Sequence, residues 1–313
     1  MPTQAPFPVN PQLTAIAVAY RNQDMIADLV LPRVPAHDAF KYTVRNKDEM
    51  FTIPDTKLGR KSEANDVEFG GTEVTDSTQD YGLRDTVPLA DLRKAEGTNI
   101  DPMGSATEGL ARLMTLDREK RVAGLVFNAA NYATGNKATL SGTGQWSDAT
   151  SNPISAMLTA MDAMIMRPNA LVVGQAVWTV LRQHPKIVEA IKLTGAGAAA
   201  SGVVARQALA ELLEIDNVYV GQGFVNTAAK GAAASYARVW GKHAALIYQE
   251  PVTTTTTAST FGFTAESGGG VRVRDWFEPK IGADGAQVIQ AVDTVKEVIP
   301  ANDFGYLFVN AVA

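Results

Sequence analysis

The longest run of regularly spaced apolar residues lies within residues 101–132. Its apolar side chains recur mostly at intervals of three, four and seven residues, which is the spacing of one helix face. Asp101 followed by Pro102 offers a helix cap, and Ser105 with Glu108 forms a capping box one turn later. A helix over this range would span about 45 Å, close to the roughly 50 Å diameter expected of a folded chain of this length. The pattern therefore predicts a helix that crosses the molecule and a flat or elongated subunit.

The polar positions of the same helix are concentrated in two places. Arg112 and residues 117–121 interrupt the apolar spacing. Since charged side chains are rarely buried without partners, we expect these positions to form the solvent-facing side of the helix.

Residues 41–87 are more polar than the rest of the chain. Of these 47 residues 17 are charged, against 19% overall. Residues 42–45 and 72–87 alternate like strands, with proline and glycine between them. They predict a long two-stranded ribbon, which has too few large apolar side chains to be stable alone. We therefore expect it to lie on a neighbouring subunit, and a flexible surface loop is the alternative.

Residues 150–250 have the opposite character, with only 14 charged residues in 101. Helices are predicted over residues 153–166, 176–184, 185–193 and 203–213, and strands over residues 170–173, 217–220, 236–240 and 244–248. Alternating helices and short apolar strands predict an α/β core.

The two ends of the chain are predicted to be extended. Three prolines in residues 1–10 indicate an extended arm, and helical turns follow over residues 10–20 and 25–31. Near the other end, residues 253–257 form a threonine-rich linker and residues 268–270 a glycine break. Asp284-Gly285 separates two strand-like segments, residues 271–277 and 287–299, and predicts a hairpin turn. A last strand is predicted over residues 306–309.

Composition restricts the possible functions. The chain of 313 residues has no cysteine, which excludes disulfides, thiolate metal sites and cysteine catalysis. No signal peptide and no run of about 20 apolar residues is visible, so we expect a protein made in the cytoplasm without a membrane contact. A net charge of −5 argues against a surface dedicated to gripping nucleic acid.

The sequence offers no reaction centre. His37, His184 and His243 lie in no metal-ligand or nucleophile spacing. We therefore predict no catalytic residue, no metal ligand and no cofactor-binding residue.

One pattern favours a competing hypothesis. Residues 195–200 match a dinucleotide-binding fingerprint ending in alanine, and Glu214 and Asp216 follow near the expected distance. The fingerprint requires a preceding strand, whereas residues 185–193 are predicted to be helical. A loop is the favoured interpretation, and a dinucleotide-binding oxidoreductase is the remote alternative.

Charged residues at the tip of the predicted ribbon are candidates for contacts between subunits. Lys57, Arg60 and Lys61 could contact nucleic acid, but Glu63 and Asp66 lie beside them. Mixed charges of this kind suit ion pairing between subunits at least as well.

Several segments in order carry a resemblance to a known family. They are residues 10–17 (NPQLTAIA), 26–35 (IADLVLPRVP), 81–88 (YGLRDTVP), 167–174 (RPNALVVG), 239–245 (VWGKHAA), 261–263 (FGF) and 305–308 (GYLF). In this order the chain resembles the major capsid proteins of tailed bacteriophages, which have the Hong Kong ninety-seven-type fold. The resemblance covers nearly the whole chain.

The resemblance implies an α+β phage capsid fold and divides the chain into the structural parts of that family. These are an N-terminal arm (residues 1–40), an extended β-hairpin loop (41–87), a peripheral domain with a long spine helix (88–149), an α/β axial domain (150–250) and return strands of the peripheral domain with the C-terminus (251–313). The axial loops of the family meet around fivefold and sixfold axes. Gly195, Gly197 and Gly202 are then candidates for such a loop.

The resemblance also implies a function. The chain would self-assemble through hexamers and pentamers into an icosahedral shell around double-stranded DNA, without catalysis and without sequence-specific DNA binding. Scaffolding, portal and decoration proteins would be its other partners, and it would be assembled in the cytoplasm of a bacterial host and reside in the virion capsid. Some relatives crosslink a lysine of the extended loop, but neither Lys57 nor Lys61 matches that motif, and no crosslink is predicted. An encapsulin-like compartment shell is the alternative.

Overall fold

The computed structural model describes residues 25–45, 51–61, 63–67, 70–97, 101–193, 202–229, 231–251 and 260–313. The helices are α1 (Ala27–Val30), α2 (Leu89–Ala95), α3 (Pro102–Val126), α4 (Pro153–Ala163), α5 (Gln175–Leu181), α6 (Pro185–Leu193) and α7 (Arg206–Leu213). The strands are β1 (Arg33–Pro35), β2 (Ala39–Arg45), β3 (Gly71–Ser77), β4 (Gln79–Pro88), β5 (Lys137–Thr139), β6 (Ala170–Gly174), β7 (Asn217–Gly221), β8 (Phe224–Asn226), β9 (Tyr236–Arg238), β10 (Ala244–Ile247), β11 (Phe263–Glu278), β12 (Ala286–Val298) and β13 (Gly305–Val309). Four predicted features lie outside the described residues: the extended arm over residues 1–10, the helix over residues 10–20, the glycine pattern at 195–200 and the linker at 253–257.

Helix α3 begins at the first of its two predicted start signals. The carboxylate of Asp101 accepts a hydrogen bond from the backbone N–H of Met103 at 3.0 Å. The helix ends at Val126, earlier than predicted, because Asn128 is extended and its side-chain oxygen accepts a hydrogen bond from the N–H of Ala130. With 25 residues, α3 is about 38 Å long. Of the helices in the described part of the chain, none has the length and apolar character of a membrane span.

Helix α3 packs on both main sheets. The four-stranded sheet has the order β1-β11-β12-β4, and its Val87, Ile289 and Ala291 are buried with the N-terminal half of α3. The five-stranded sheet has the order β5-β13-β10-β6-β7, and one face of it buries Val122 and Val126 from the C-terminal half. The helix therefore joins the two sheets, which explains why its apolar spacing continues over so many turns.

Three of the four strands predicted for the α/β core, β6, β7 and β10, lie in the five-stranded sheet with helices α4 to α7, whereas the strand predicted over residues 236–240 is β9, which pairs with β8 in a separate two-stranded sheet. Helix α6 has the predicted bounds, and the other helices and strands differ from prediction by a few residues at their ends. The apolar face shared by Met157, Val177, Ile187 and Leu213 covers the side of the sheet opposite α3. Strands β5 and β13 complete this sheet from outside residues 150–250, so its core draws on three separate parts of the chain.

The predicted ribbon strand over residues 72–87 is two strands with different partners. Strand β3 pairs with β2, with Arg45 opposite Gly71 and Ala39 opposite Ser77. Strand β4 instead pairs with β12 in the four-stranded sheet. The two strands differ in burial, because Val87 of β4 is buried against α3 whereas no residue of β3 is buried. The two-stranded ribbon is therefore shorter at its base than predicted.

The base of the ribbon packs on its own subunit. Phe40 is buried in a small cluster with Val34 and Phe263, and the ring of Tyr42 lies edge-on to Phe263 at a centroid distance of 6.3 Å. By contrast, every described residue of 51–67 is exposed. The prediction that the ribbon cannot find partners in its own molecule thus fails at the base, while the distal part makes no buried contact among the described residues.

The predicted hairpin near the C-terminus is confirmed and is longer than predicted. Strands β11 and β12 pair from Phe263 with Val298 to Glu278 with Ala286. The predicted glycine break is instead a bulge within β11, where the register shifts between Ser267 and Arg272. Residues 268–270 are glycines with φ between 76° and 97°, a backbone conformation that side chains with a Cβ rarely adopt.

Removing a glycine from the middle of α3 is expected to stabilise the subunit. A Cβ on Gly109 would meet no atom within 4 Å, and glycine costs roughly 0.5–1 kcal/mol relative to alanine inside a helix. Gly109→Ala should raise the free energy of unfolding by about that amount, measured by urea denaturation of the unassembled subunit. Gly104→Ala is the matched control, because its Cβ would lie 2.5 Å from Oδ2 of the capping Asp101. The free energy of unfolding should therefore rise less in Gly104→Ala than in Gly109→Ala. A loss of stability on Gly109→Ala would contradict the open space described.

Candidate intersubunit surfaces

The five charged residues predicted at the ribbon tip lie together on the surface. Lys57, Arg60, Lys61, Glu63 and Asp66 are all exposed. No ion pair joins any of them to another described residue, whereas at the ribbon base Lys41 pairs with Glu73 at 2.8 Å. The tip charges are therefore available to a partner outside the subunit.

The ribbon tip also exposes large apolar side chains. Phe51 is 59% exposed, Ile53 87%, Leu58 58% and Val67 50%. The backbone around them is held by Asp55, whose carboxylate accepts from the N–H of Lys57 at 3.0 Å and whose carbonyl accepts from Asn65 at 2.7 Å. Such a concentration of apolar groups in water favours an interaction site over a simple solvated loop.

The glycine loop predicted at the axial end is only partly described. Gly202 is exposed with φ of 73°, and Gly195 and Gly197 lie outside the described residues. Helix α6 leads towards this loop and ends at Leu193, whose side chain is 82% exposed. The ribbon tip and Gly202 belong to different parts of the fold, so they are separate candidate surfaces.

A further exposed surface lies on the four-stranded sheet, on the face away from α3. Gln290 alternates with Ile289, which contacts α3, so the side chain of Gln290 points to the opposite face. Arg274 and Arg84 pair with Gln290 from either side, and Arg272 follows two residues from Arg274. We call Arg84, Arg272 and Arg274 the arginine face.

Two residues of the arginine face, Arg272 and Arg274, line a depression of about 410 Å³. Its lining comprises Asp80, Gly82, Arg272, Arg274, Gln290 and Val292. Arg272 donates to the hydroxyl of Thr294 at 2.6 Å, and that hydroxyl donates to Asp80 at 2.7 Å. Arg84 and Arg274 are exposed and form no ion pair with a described residue, so their guanidinium groups have donors to offer.

Two charged residues that the sequence pattern assigned to the solvent side of α3 are buried. Arg118 is 2% exposed and Glu119 is fully buried. One carboxylate oxygen of Glu119 accepts from the N–H of Ile26 at 2.9 Å and from the indole of Trp240 at 2.5 Å, and the other accepts from the N–H of Ala27 at 2.8 Å. Glu119 thereby fixes the first described residues of the chain against α3.

Arg118 continues this junction on the next position of α3. It pairs with Asp28 at 2.7 Å and donates to the carbonyl of Leu31 and the hydroxyl of Thr264. Burial lowers the pKa of Arg118 and raises the pKa of Glu119, and hydrogen bonds from Ile26, Trp240 and Ala27 to Glu119 partly offset the second effect.

Ion pairs beside Arg118 connect the same region to the hairpin. Arg33 forms two hydrogen bonds with Asp293, at 3.1 and 2.9 Å, and one with Glu266 at 3.0 Å. Arg121 of α3 pairs with Glu297 at 2.5 Å. The junction thus ties the N-terminal chain, α3 and the hairpin into one unit.

A signal for this junction is present in the sequence. Arg118 follows the buried Met114 by four residues, and Glu119 precedes the buried Val122 by three. Both therefore occupy the apolar stripe of α3, and charged residues on an apolar stripe indicate buried partners.

Ser151 and His184 lie close together but do not form a nucleophile and base. Their Oγ and Nε2 atoms are 3.2 Å apart, while Nδ1 of His184 accepts from the N–H of Lys186 at 3.3 Å. The hydrogen therefore resides on Nε2, which can donate to Ser151 but cannot remove its proton. Within the described ranges, no three His, Asp or Glu side chains converge as metal ligands would.

Comparison with known proteins supplies the context for these surfaces. The family profile described as Phage major capsid protein E matches residues 124–266. The chain is 47% identical over 312 residues to the major capsid protein of Pseudomonas phage JBD67, covering 99% of both chains. It is similar to the crystal structure of a phage-related protein from Bordetella bronchiseptica RB50, with 25% identity, a TM-score of 0.72 and 97% of each chain covered.

The same fold occurs in a more distant capsid. The capsid structure of cyanophage P-SCSP1u matches with a TM-score of 0.59 at 11% identity, covering 99% of this chain and 92% of that one. The α+β architecture predicted for the chain is thereby confirmed as a phage capsid fold. The chain belongs to the phage major capsid proteins and is a structural shell subunit of the virion capsid.

Proposed function

We propose that many copies of this chain assemble through hexamers and pentamers into a closed icosahedral shell around double-stranded DNA, without catalysis. The observation that carries the proposal is the ribbon tip, where every charged and apolar side chain described within residues 51–67 is exposed in the single subunit. A subunit that leaves such a segment without partners is suited to completion by adjacent copies.

The parts of the subunit have distinct roles in this proposal. Residues 1–40 serve as the N-terminal arm, residues 88–149 and 251–313 build the peripheral domain, and residues 150–250 the axial domain. The pairing of β4 with β12 supports ending the extended loop near residue 78 instead of residue 87. The contribution of β13 to the five-stranded sheet supports assigning residues 305–309 to the axial side.

The candidate contact residues divide between two interfaces. Lys57, Arg60, Lys61, Glu63 and Asp66 meet the neighbour beneath the extended loop, and their exposure and mixed charge support this role. The glycines at 195, 197 and 202 belong to the loop that meets its copies around the fivefold and sixfold axes, and the exposed Leu193 next to it supports an apolar contact there.

Other partners follow from the same proposal. The shell is assembled in the host cytoplasm, with a scaffolding protein to guide curvature, a portal protein at one vertex and decoration proteins on the outer surface. The net charge of −5 disfavours strong adhesion of DNA to the inner wall, so DNA is enclosed without sequence-specific contacts.

The two alternative functions have less support. An encapsulin-like compartment uses a similar shell, but the chain is 47% identical over its full length to a phage major capsid protein. For the oxidoreductase, the residues before the glycine pattern form helix α6, whereas a dinucleotide fingerprint follows a strand.

The test is expression of the chain with its scaffolding partner, followed by negative-stain electron microscopy and sedimentation. Closed particles, or hexamers and pentamers, are the expected result. A species that stays monomeric at high concentration with the scaffold supplied would contradict the proposal.

A further inference from the structure

We propose that the arginine face of one subunit binds the segment that returns from the ribbon tip to Gly71 in a neighbouring subunit, which we call the acidic limb. Glu63 pairs there with Arg84, and Asp66 with Arg274. This proposal rests on the proposed shell function and identifies the surface that receives the ribbon.

Charge complementarity is the first support. Residues 62–83 contain six acidic residues and no lysine or arginine. Two of the acidic residues, Glu73 and Asp76, already pair with Lys41 and Lys296 of their own subunit. A third, Asp80, accepts a hydrogen bond from Thr294, and Glu68 lies outside the described residues. Glu63 and Asp66 are exposed and have no ion pair with a described residue, so their carboxylates are available to another copy.

Spacing is the second support. Arg84 and Arg274 are separated by one strand, which puts their backbones about 10 Å apart on the same face. Glu63 and Asp66 are three residues apart, and in an extended polyproline II-type segment, which has three residues per turn, their side chains lie on the same side about 9 Å apart. An extended segment crossing the strands can therefore place one carboxylate at each guanidinium group.

The shape of the surface fits the same occupant. Gly82 has no side chain and lines the depression on β4, two residues from Arg84 and opposite Val292, so a backbone can approach the sheet there. Val292 supplies an apolar floor, which suits a side chain such as the exposed Val67. From the last ribbon pair, Arg45 with Gly71, a limb of about 12 residues reaches up to roughly 40 Å, which is enough to cross to another subunit.

Two other occupants fit less well. A second copy of β11, pairing edge to edge in a twofold contact, would bring Arg272 and Arg274 of both copies together, and like charges repel. A nucleic-acid backbone would meet Asp80 inside the depression, a carboxylate that repels phosphate. The acidic limb of another copy would place its two carboxylates at Arg84 and Arg274, which lie four residues along the strands from the level of Asp80.

A charge exchange tests the proposal in the full chain. Arg84→Glu with Arg274→Glu, and separately Glu63→Arg with Asp66→Arg, should each lower the yield of closed particles at least about tenfold. The four substitutions together should restore the yield to within about twofold of the parent, because the pairs re-form with exchanged signs. Arg84→Lys with Arg274→Lys is the matched control and should assemble like the parent.

Several results would overturn the proposal. One is a particle yield equal to that of the parent in both reversed pairs. Another is a particle yield of the quadruple variant that is no higher than that of the worse of the two reversed pairs. If the reversed arginine pair assembles normally but retains less DNA, the arginine face binds phosphate instead. If reversal unfolds the subunit, Arg84→Gln with Arg274→Gln replaces it, and the same yields decide. The parent is assayed alongside, so a parent that forms no particles counts against the shell function and not against this pairing.

A cysteine pair gives an independent readout, because the chain contains no cysteine. Asp66→Cys combined with Arg274→Cys should form disulfide-linked ladders of subunits in oxidised particles, and Lys120→Cys with Arg274→Cys should not. Equal ladders from both pairs, or none from the first, would contradict the proposed contact.

Discussion

Replacing residues 46–70 by Asn-Gly is expected to give a folded subunit that no longer forms closed particles. Arg45 and Gly71 are paired directly across the ribbon, so a two-residue turn can close the hairpin at this point. The shortened ribbon keeps Phe40 and Tyr42 in their buried cluster and removes every exposed residue of the tip. Particle formation should fall below detection by electron microscopy and sedimentation.

The stability of the subunit separates loss of assembly from loss of folding. Since the described tip residues make no buried contact, their removal should change the free energy of unfolding by less than about 1 kcal/mol. The matched control keeps the length of the loop and replaces only Phe51, Ile53, Leu58 and Val67 by serine, and it should assemble poorly while folding normally. Closed particles in parental yield from the shortened chain would contradict the role given to the ribbon.

The elements that the sequence predicted best are those with local signals. The cap at Asp101, the prolines that begin α4 and α6, and the hairpin turn near Gly285 each determine a boundary through nearby atoms. Apolar spacing of three and four residues is likewise a local property, so α3 and the helices of residues 150–250 were predictable.

The errors concern pairings between distant parts of the chain. Residues 72–77 and 79–88 have the same alternating pattern, and only the burial of Val87 against α3 sends the second strand to β12. The glycines at 268–270 suggested a break because nothing local indicates that β12 continues the pairing beyond them. Register across a sheet depends on the partner, and a single sequence does not reveal which partner it is.

The candidate site was predictable to a similar extent. The tip charges could be found because a charged run between two strand-like segments is a local feature. The arginine face could not be found in full, since Arg84 and Arg274 are separated by 190 positions and meet only through their common partner Gln290. For Arg118 and Glu119, charge predicts exposure and position on the apolar stripe predicts burial, and the structure follows the position because both side chains have buried partners.

Substituting Glu119 is expected to cause the largest loss of subunit stability. Glu119→Ala leaves the N–H groups of Ile26 and Ala27 and the indole N–H of Trp240 without their acceptor in a buried site. Unsatisfied buried donors cost about 1–3 kcal/mol each before relaxation, so a loss of about 3–5 kcal/mol is expected. Glu119→Gln keeps the shape but turns an amide donor towards one of the backbone N–H groups, and it should lose somewhat less. Lys120→Ala, an exposed neighbour, is the control and should change stability by less than about 0.5 kcal/mol.

The pH dependence distinguishes the charge of Glu119 from its shape. Burial raises the pKa of Glu119 above its ordinary value, so the folded state binds a proton more tightly than the unfolded state. This tighter proton binding contributes to the free energy of unfolding. The contribution is fully present below the pKa of glutamate in the unfolded state, near 4.3, and is lost as the pH rises through the pKa of Glu119 in the folded state. Glu119→Gln has no such proton, so the stability difference between parent and variant should narrow as the pH rises through this window. Urea denaturation at a series of pH values measures it, and a difference that widens with rising pH would mean that the hydrogen bonds from Ile26, Ala27 and Trp240 outweigh the cost of burying the charge.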